Sequence, residues 1–460
     1  MVILILKIYL IFTICALLAY SMRHYFFTMH RLYSEQRVYY QDIIDSEYKN
    51  ISILIPMHNE ERVAGQILDL LASNTSPYHN VEQSPQTILD LLVTADYPHD
   101  KMEIIPINDY SSDETRYILE DYAMRYPYIK PLHRYSGERG KPAALNDGLK
   151  MATGEIIIVF DADYLPPRDI LKDIAVSFND PEVGAVMGRV VPVNTKANLL
   201  TRLLDLERTG GYQVDQQARY NLQLIPQYGG TVGGFRREVV EAIGSFDTKI
   251  LAEDTDLTFR LLLSGWKIVY ANRTECYEEV PETWDTRARQ IRRWSRGHNQ
   301  VMFRYLRPLL KASHLTKYEK LDGTLLLFIY SIPLMMVLAI GDSLTLFFLG
   351  EMQIIAGLLP FLFVGAYNTF GNFAPFYQIG AASLLDGATK RILLLPLLLL
   401  NYFLNTFYIT IGFFEALVDR FTGRHAEWSK TTRFRNDDSE APQHIKDLRR
   451  SNGRSRSRES

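Results

Sequence analysis

The chain has 460 residues, 47% of them apolar and 22% charged, with a formal net charge of −3. The length exceeds one ordinary compact domain and points to two or three units. The near-neutral balance argues against a dedicated nucleic-acid binder, which carries a basic excess. Two cysteines, Cys15 in an apolar run and Cys276 in a polar region, exclude a disulfide framework and fit a reducing compartment.

Residues 1–20 are nearly all apolar, with Lys7 the only charge. A secretory signal carries its positive charge ahead of the apolar core and small residues at a cleavage site. Here Arg23, His24 and Arg31 follow the run instead. The run has about the ~20 residues needed to cross a bilayer, and trailing positive charge favours the cytosol on that side. These features predict an uncleaved anchor over residues 1–21 with its N-terminus outside, then a juxtamembrane linker over 22–50.

From residue 51 the pattern changes. Short apolar runs at 51–56, 102–107, 155–160 and 183–191 read as buried strands. Helical spacing spans 60–71, 88–95, 112–125 and 143–151, and residues 74–86 read as a loop. Such alternation predicts an α/β domain over 51–285 with a mostly parallel sheet. Ligands in these folds bind beyond the carboxyl ends of the strands. Polar clusters follow the first three strands there: His58-Asn59-Glu60, Asn108-Asp109 and Asp161-Ala162-Asp163.

Residues 286–321 are basic, aromatic and amphipathic, as in helices lying on a bilayer surface. Residues 322–418 form a transmembrane region with apolar runs at 325–348, broken at Gly341-Asp342, at 354–367, and at 392–417 around Pro396. The tail, 419–460, is basic and reads as largely disordered. Three spans after a cytosolic domain would leave that tail outside, against the positive-inside rule. A bent or re-entrant segment near Pro396 and Asn401 would restore a cytosolic tail.

Two carboxylates spaced by one residue, Asp161 and Asp163, suit Mg²⁺ or Mn²⁺, hard ions that share oxygen ligands with substrate phosphates. Asp109 can accept from a nucleobase edge, while Ser111 or Ser112 can cap the following helix. Lys141, after a glycine-flanked loop, can reach a phosphate as a point charge. In the cluster 252–256, Thr255 or Asp256 can cap a helix, and a carboxylate there can serve as a general base. Gln290, Arg293 and Trp294 share one helix face at i, i+3 and i+4. They offer an amide, a guanidinium and a stacking surface, or simply an interfacial anchor.

In this order the clusters resemble the family 2 inverting glycosyltransferases, in particular the processive membrane branch of cellulose, chitin, hyaluronan and poly-N-acetylglucosamine synthases. The resemblance covers residues 51–294. Pro56, His58 and Glu60 are similar to the opening motif; Asp109, with Tyr110 where glycine is common, to the nucleotide loop. Lys141 is similar to the donor lysine, and Asp161 and Asp163 to the metal motif. Gly230 and Thr231 are similar to the acceptor loop, Glu253 and Asp254 to the base motif, and Gln290, Arg293 and Trp294 to the processive signature. Trp428 to Thr431 resembles a C-terminal motif of bacterial exopolysaccharide synthases. The resemblance implies a glycosyltransferase A-type fold binding a UDP-sugar with Mg²⁺ or Mn²⁺. It implies Asp254 as base, inversion at the sugar, and an export path in a bacterial inner membrane, with accessory export subunits as partners. The acceptor it implies is a growing polysaccharide. A non-processive enzyme glycosylating a lipid, and a catalytically silent membrane scaffold, are the alternatives.

Overall fold

The computed structural model describes residues 1–38, 47–64, 87–351, 365 and 371–423. Seven strands form one sheet: β1 (Ile51–Met57), β2 (Met102–Asp109), β3 (Leu132–Arg134), β4 (Ile156–Val159), β5 (Val183–Pro192), β6 (Gly233–Arg236) and β7 (Lys267–Glu278). Their order is β3-β2-β1-β4-β6-β5-β7. β1 pairs in parallel with β2 and β4, β2 with β3, and β5 with β7. β6 runs antiparallel to both neighbours, so the sheet is mixed but mostly parallel.

β2 and β4 are buried along their whole length and β1 nearly so. That is the pattern of strands covered on both faces, and it explains their continuous apolar runs. The register sets Met57 beside Asn108 and Leu54 beside Val159. The three strands therefore end on one edge, and the polar clusters that follow them converge there.

β3, β6 and β7 carry no such signal. β6 begins Gly233-Gly234, weak strand formers. A Cβ on Gly233 would lie 2.4 Å from the Tyr228 ring and 2.7 Å from the Val186 carbonyl, so close approach of neighbours is what requires glycine.

Six helices matter for the site: α1 (Val2–Tyr33), α2 (Lys141–Met151), α3 (Leu199–Thr209), α4 (Glu253–Leu263), α5 (Trp284–Lys311) and α6 (Leu398–Thr422). α3 continues through a π-helical stretch, Gly210–Gln216, into Gln217–Asn221. α1 does not stop near residue 21 but runs to Tyr33. Its basic residues meet protein partners rather than marking a free linker: Arg23 pairs with Asp215 at 2.6 Å and Asp322 at 3.2 Å. Arg31 donates to the Gln213 carbonyl at 2.7 Å.

Among the described residues, α1 and the stretch Thr389–Thr422 are long and apolar enough to cross a membrane. Lys317–Phe328 and Ile332–Phe348 pass the same test together but are bent by 69°. That break falls at 329–331, not at Gly341-Asp342, which lie inside the second helix. Pro396 sits in a 3₁₀ stretch, Thr389–Leu397, that leads into α6. The run at 354–367 (residue 365 apart), the loop at 74–86 and the motif at 428–431 lie outside the described residues.

α5, read as a bilayer-surface helix, buries Ile291, Ser295, Asn299, Met302 and Leu309. It packs closely on α6, where a Cβ on Gly412 would come within 2.5 Å of the Arg292 carbonyl. Arg296 grips Asp419 through two 2.6 Å bonds across the same seam.

Candidate active site

A cavity of about 420 Å³ opens at the strand-end edge. Pro56 lines it from β1, His58 and Glu60 from just beyond it, Asp109 from β2, and Asp161 and Asp163 from beyond β4. Lys141 of α2, Gly230 and Thr231 before β6, Glu253 and Asp254 of α4, and Gln290, Arg293 and Trp294 of α5 complete the wall. Every site residue singled out from the sequence therefore faces one space.

The β1 and β2 ends are laced together. The His58 Nδ1 lies 2.6 Å from the Asp109 carbonyl. Asn59, in the left-handed region at φ 53°, donates its N–H to Ser111 Oγ at 2.9 Å and accepts the Ser112 N–H at 2.8 Å. Ser111 and Ser112 are thus spent on Asn59 and do not cap the next helix. That helix starts at Thr115 with Glu114 at its N-cap making no side-chain cap bond, and the neighbouring Asp113 accepts the Thr115 N–H at 3.1 Å.

Asp109 is buried and already engaged: one oxygen takes Arg134, the other accepts the Gly140 N–H at 2.8 Å. Arg134 also reaches Asp147 at 2.8 Å and the Glu138 carbonyl at 2.6 Å, fixing the glycine-flanked loop. Sequence reading missed Arg134, because a three-residue strand leaves no periodicity. Tyr110 holds a left-handed φ of 58°, strained for a side chain. Its hydroxyl bond to the Gly137 carbonyl (2.9 Å) and the Arg139 guanidinium 4.5 Å from its ring help hold it.

Lys141, the first residue of α2, is the electrostatic centre. Its Nζ lies 2.7 Å from Asp161 Oδ1, 3.6 Å from Glu253 Oε1 and 2.8 Å from the Gly230 carbonyl. Burial pushes the ammonium down, but the Asp161 and Glu253 carboxylates outweigh it and hold its pKa above the ordinary value. Glu253 and Asp254 are both raised, chiefly by burial and against the pull of Lys141. Carboxylates moved toward neutrality in a cleft suit general base work. Asp254 occupies the first turn of α4, and its Oδ1 accepts the Thr255 N–H at 2.6 Å. Asp256, read as a possible cap, is a buried structural group bonded to Arg260 and the Tyr305 hydroxyl, both at 2.7 Å.

On the α5 side, Trp294 has the Arg208 and Arg287 guanidiniums 5.2 and 5.4 Å from its ring, within cation–π range. Arg287 grips Glu207 at 2.6 and 2.9 Å and donates to Gln290 at 3.0 Å. Arg208 pairs with Glu278 at 2.7 Å, and Glu278 takes the Tyr164 hydroxyl at 2.8 Å. Arg208, Glu278 and Tyr164 also line the cavity and were not picked from the sequence.

Among the described residues no group of three or more His, Cys, Asp and Glu could enclose a metal. Asp161 and Asp163 nonetheless fit an Mg²⁺-like ion, which takes one or two carboxylates and completes its shell with water and phosphate oxygens.

The fold and this acidic, lysine-centred cleft define a glycosyltransferase A-like domain. Residues 52–244 match the model described as glycosyl transferase family 2, and residues 156–373 that of glycosyl transferase family group 2. Residues 52–373 taken together are thus similar to family 2 glycosyltransferase domains. It is 32% identical over 268 residues to a probable glycosyltransferase, YdaM, of Bacillus subtilis, covering 58% of this chain and 59% of that one. It is 30% identical over 261 residues to a β-monoglucosyldiacylglycerol synthase of Synechocystis, covering 56% of this chain and 50% of that one. The chain thus spans about half the length of the curated relatives it matches. A mannosyltransferase of Pyrobaculum calidifontis, solved with GDP-Man and Mn²⁺, shares the fold: TM-score 0.55, 21% identity, 82% of this chain and 98% of that one.

Proposed function

We propose that this chain is a membrane-bound inverting glycosyltransferase that moves a sugar from a nucleoside-diphosphate donor, UDP-linked in the first instance, to a hydroxyl of a lipid. The observation that carries the reading is the single cavity holding Lys141, Asp161 and Asp254 together. Asp254 takes the proton of the acceptor hydroxyl. The acceptor oxygen bonds the anomeric carbon from the face opposite the diphosphate, the bond to that leaving group breaks, and the nucleoside diphosphate departs with the electron pair. Lys141 and Arg293 offset the charge gathering on it, a preorganised electrostatic contribution. A divalent ion held by Asp161 and Asp163 would add to that offset.

Two observations favour a lipid acceptor. Ile329 and Tyr330, at the break in the bent apolar helix pair, line the cavity, which gives a membrane-held molecule a route to Asp254. The Synechocystis relative is named a diacylglycerol glucosylating enzyme. The second reading, processive polysaccharide synthesis, is favoured by Gln290, Arg293 and Trp294 on the cavity wall. The test is product analysis from the purified full chain with UDP-glucose, Mn²⁺ and phosphatidylcholine vesicles carrying dioleoylglycerol. A lipid bearing one sugar supports the first reading; a ladder of lengthening saccharide supports the second. An Asp254→Asn variant that releases UDP at the original rate would defeat both.

A further inference from the structure

The group proposed as the base is held by side chains to which neither the motifs nor the relatives give a role, and two of them, Gln216 and Gln227, also line the cavity. Asp254 Oδ1 accepts two bonds from Thr255: the N–H at 2.6 Å and the hydroxyl at 3.2 Å. The Thr255 hydroxyl, itself buried, accepts the Gln227 side-chain N–H at 2.9 Å. Gln227 is clamped in turn by a reciprocal pair with Gln216: its backbone N–H donates to Gln216 Oε1 and its carbonyl accepts from Gln216 Nε2, both at 3.0 Å.

Gln216 closes the π-helical stretch Gly210–Gln216. One extra residue in a turn rotates everything after it by about 100° relative to an uninterrupted α-helix. The same stretch is fixed from outside by Asp215, which pairs with Arg23 of α1 at 2.6 Å. The π turn is therefore the local feature that delivers the Gln216 amide to Gln227.

A hydroxyl has one proton to give. With Gln227 donating to its oxygen, the Thr255 proton is directed away from Gln227. His298 lies 3.4 Å away through either ring nitrogen, and burial lowers it to about 4, leaving a neutral ring. The Asp254 carboxylate is nearer and charged, and charge-assisted bonds are stronger, so it takes the proton. That leaves Asp254 Oδ2 facing the Gly230 loop, where a Cβ would sit 3.1 Å from it. One oxygen is anchored and the other is presented to the cavity.

We propose that Thr255 and Gln227 are positioning residues for this reaction, with the π-turn residue Gln216 behind them, holding one oxygen of Asp254 so that the other meets the acceptor hydroxyl. The inference rests on Asp254 being the base. The charged and titratable groups around that carboxylate are Glu253 on its own helix, Lys141 on α2, Arg293 and His298 on α5, Tyr212 and Tyr228 from the π turn and the acceptor loop, and Tyr330 from the break in the bent helix pair. Among these groups His298 lies 3.4 Å from the Thr255 hydroxyl, so its surroundings change with Thr255→Val, while Gln227→Leu leaves that contact in place.

The first experiment needs no substrate. Thermal stability of the full chain in detergent is measured for Thr255→Val, Asp254→Asn and the double variant at about pH 8 and about pH 5. The Thr255→Val loss should be largest at the higher pH with Asp254 present, and should shrink by about half or more beside Asp254→Asn. Additive losses at both pH values overturn the proposal. The second uses UDP-glucose, Mn²⁺ and dioleoylglycerol vesicles. Thr255→Val should lower kcat about tenfold, with donor KM unchanged, and move the acid limb to higher pH, because the ionised carboxylate has lost a donor. Thr255→Ser should restore both, and Gln227→Leu should shift the limb the same way by less. An unmoved limb sinks the positioning role. Turnover that survives Asp254→Asn refutes the base assignment instead, while the stability cycle still reports the contact.

Discussion

Lys141→Met is the most informative single change, because one ammonium serves two buried carboxylates. At 2.7 Å from Asp161 and 3.6 Å from Glu253, an effective dielectric of about 20 gives attractions of roughly 6 and 5 kcal/mol. Those are gross values. Removing the lysine also removes the cost of burying it, and breaking a buried pair costs about 3–5 kcal/mol in practice. The orphaned carboxylates can escape part of that by taking a proton, and Glu253 is already raised by burial. The sign follows. With Lys141 gone, the folded-state pKa of Glu253 rises further above its unfolded value, so the variant loses stability as pH climbs through that range. The gap between wild type and Lys141→Met should therefore be widest at about pH 8, on the order of 3 kcal/mol, and narrow toward about pH 5. Thermal or denaturant unfolding of both proteins across that range is the assay. A gap that is flat with pH, or that widens on acidification, would show that the contact pattern around Lys141 does not govern the site.

Four other outcomes follow from particular contacts. Gly230→Ala places a Cβ 3.1 Å from Asp254 Oδ2 at a φ of +83°, so it should cost about 1–2 kcal/mol of stability and reduce kcat more than donor KM, read from UDP release. Gly412→Ala forces α5 and α6 apart at the Arg292 carbonyl and should cost about 1–3 kcal/mol; an unchanged melting temperature would mean the helices tolerate separation. Arg23→Met leaves Asp215 and Asp322 sharing Arg219 at 3.4–3.5 Å, a loss of about 3–5 kcal/mol that adding Asp322→Asn should partly recover in the same melt. The raised pKa of Asp254 puts the acid limb of wild-type turnover above the ordinary carboxylate range of about 4. Activity needs the ionised form and is lost as pH falls through that raised value, so a limb at or below the ordinary range would contradict the burial seen here.

The parts of the fold legible in the sequence are those where chemistry repeats along the chain. β1, β2 and β4 are mainly apolar because they are buried on both faces, with Ser52 in β1 and Glu103 in β2 the buried exceptions within the runs, and each ends in or is followed by polar residues because the cleft begins there. β6 was invisible: a strand opening on two glycines is specified by what it touches, the Tyr228 ring and the Val186 carbonyl, and those contacts come from distant segments. The N-terminal helix was read a dozen residues short for a related reason. Arg23 and Arg31 look like the polar border of a membrane anchor, and only their pairing with Asp215, Asp322 and Gln213 shows that the helix continues into protein.

The candidate site divides along the same line. Some of the groups that face the cavity occur in compact clusters, so Asp161, Asp163, Lys141, Asp254 and Arg293 could be picked out by type and spacing, whereas Arg208, Glu278 and Tyr164 could not. The groups that hold them are single residues with partners far away in sequence: Arg134 behind Asp109, Glu278 behind Arg208, and Gln227 behind Thr255. No local pattern marks a supporting residue, since what makes it one is a distance in space. The π turn is the extreme case. Gly210–Gln216 sits inside a helical pattern and violates it by one residue, and that offset carries both the Arg23–Asp215 pair and the Gln216–Gln227 clamp. Helix α1 and the candidate base are therefore tied to successive residues of one irregular turn. A change in α1 that moves Asp215 must move Gln216 with it, so α1 belongs to the mechanical frame of the site.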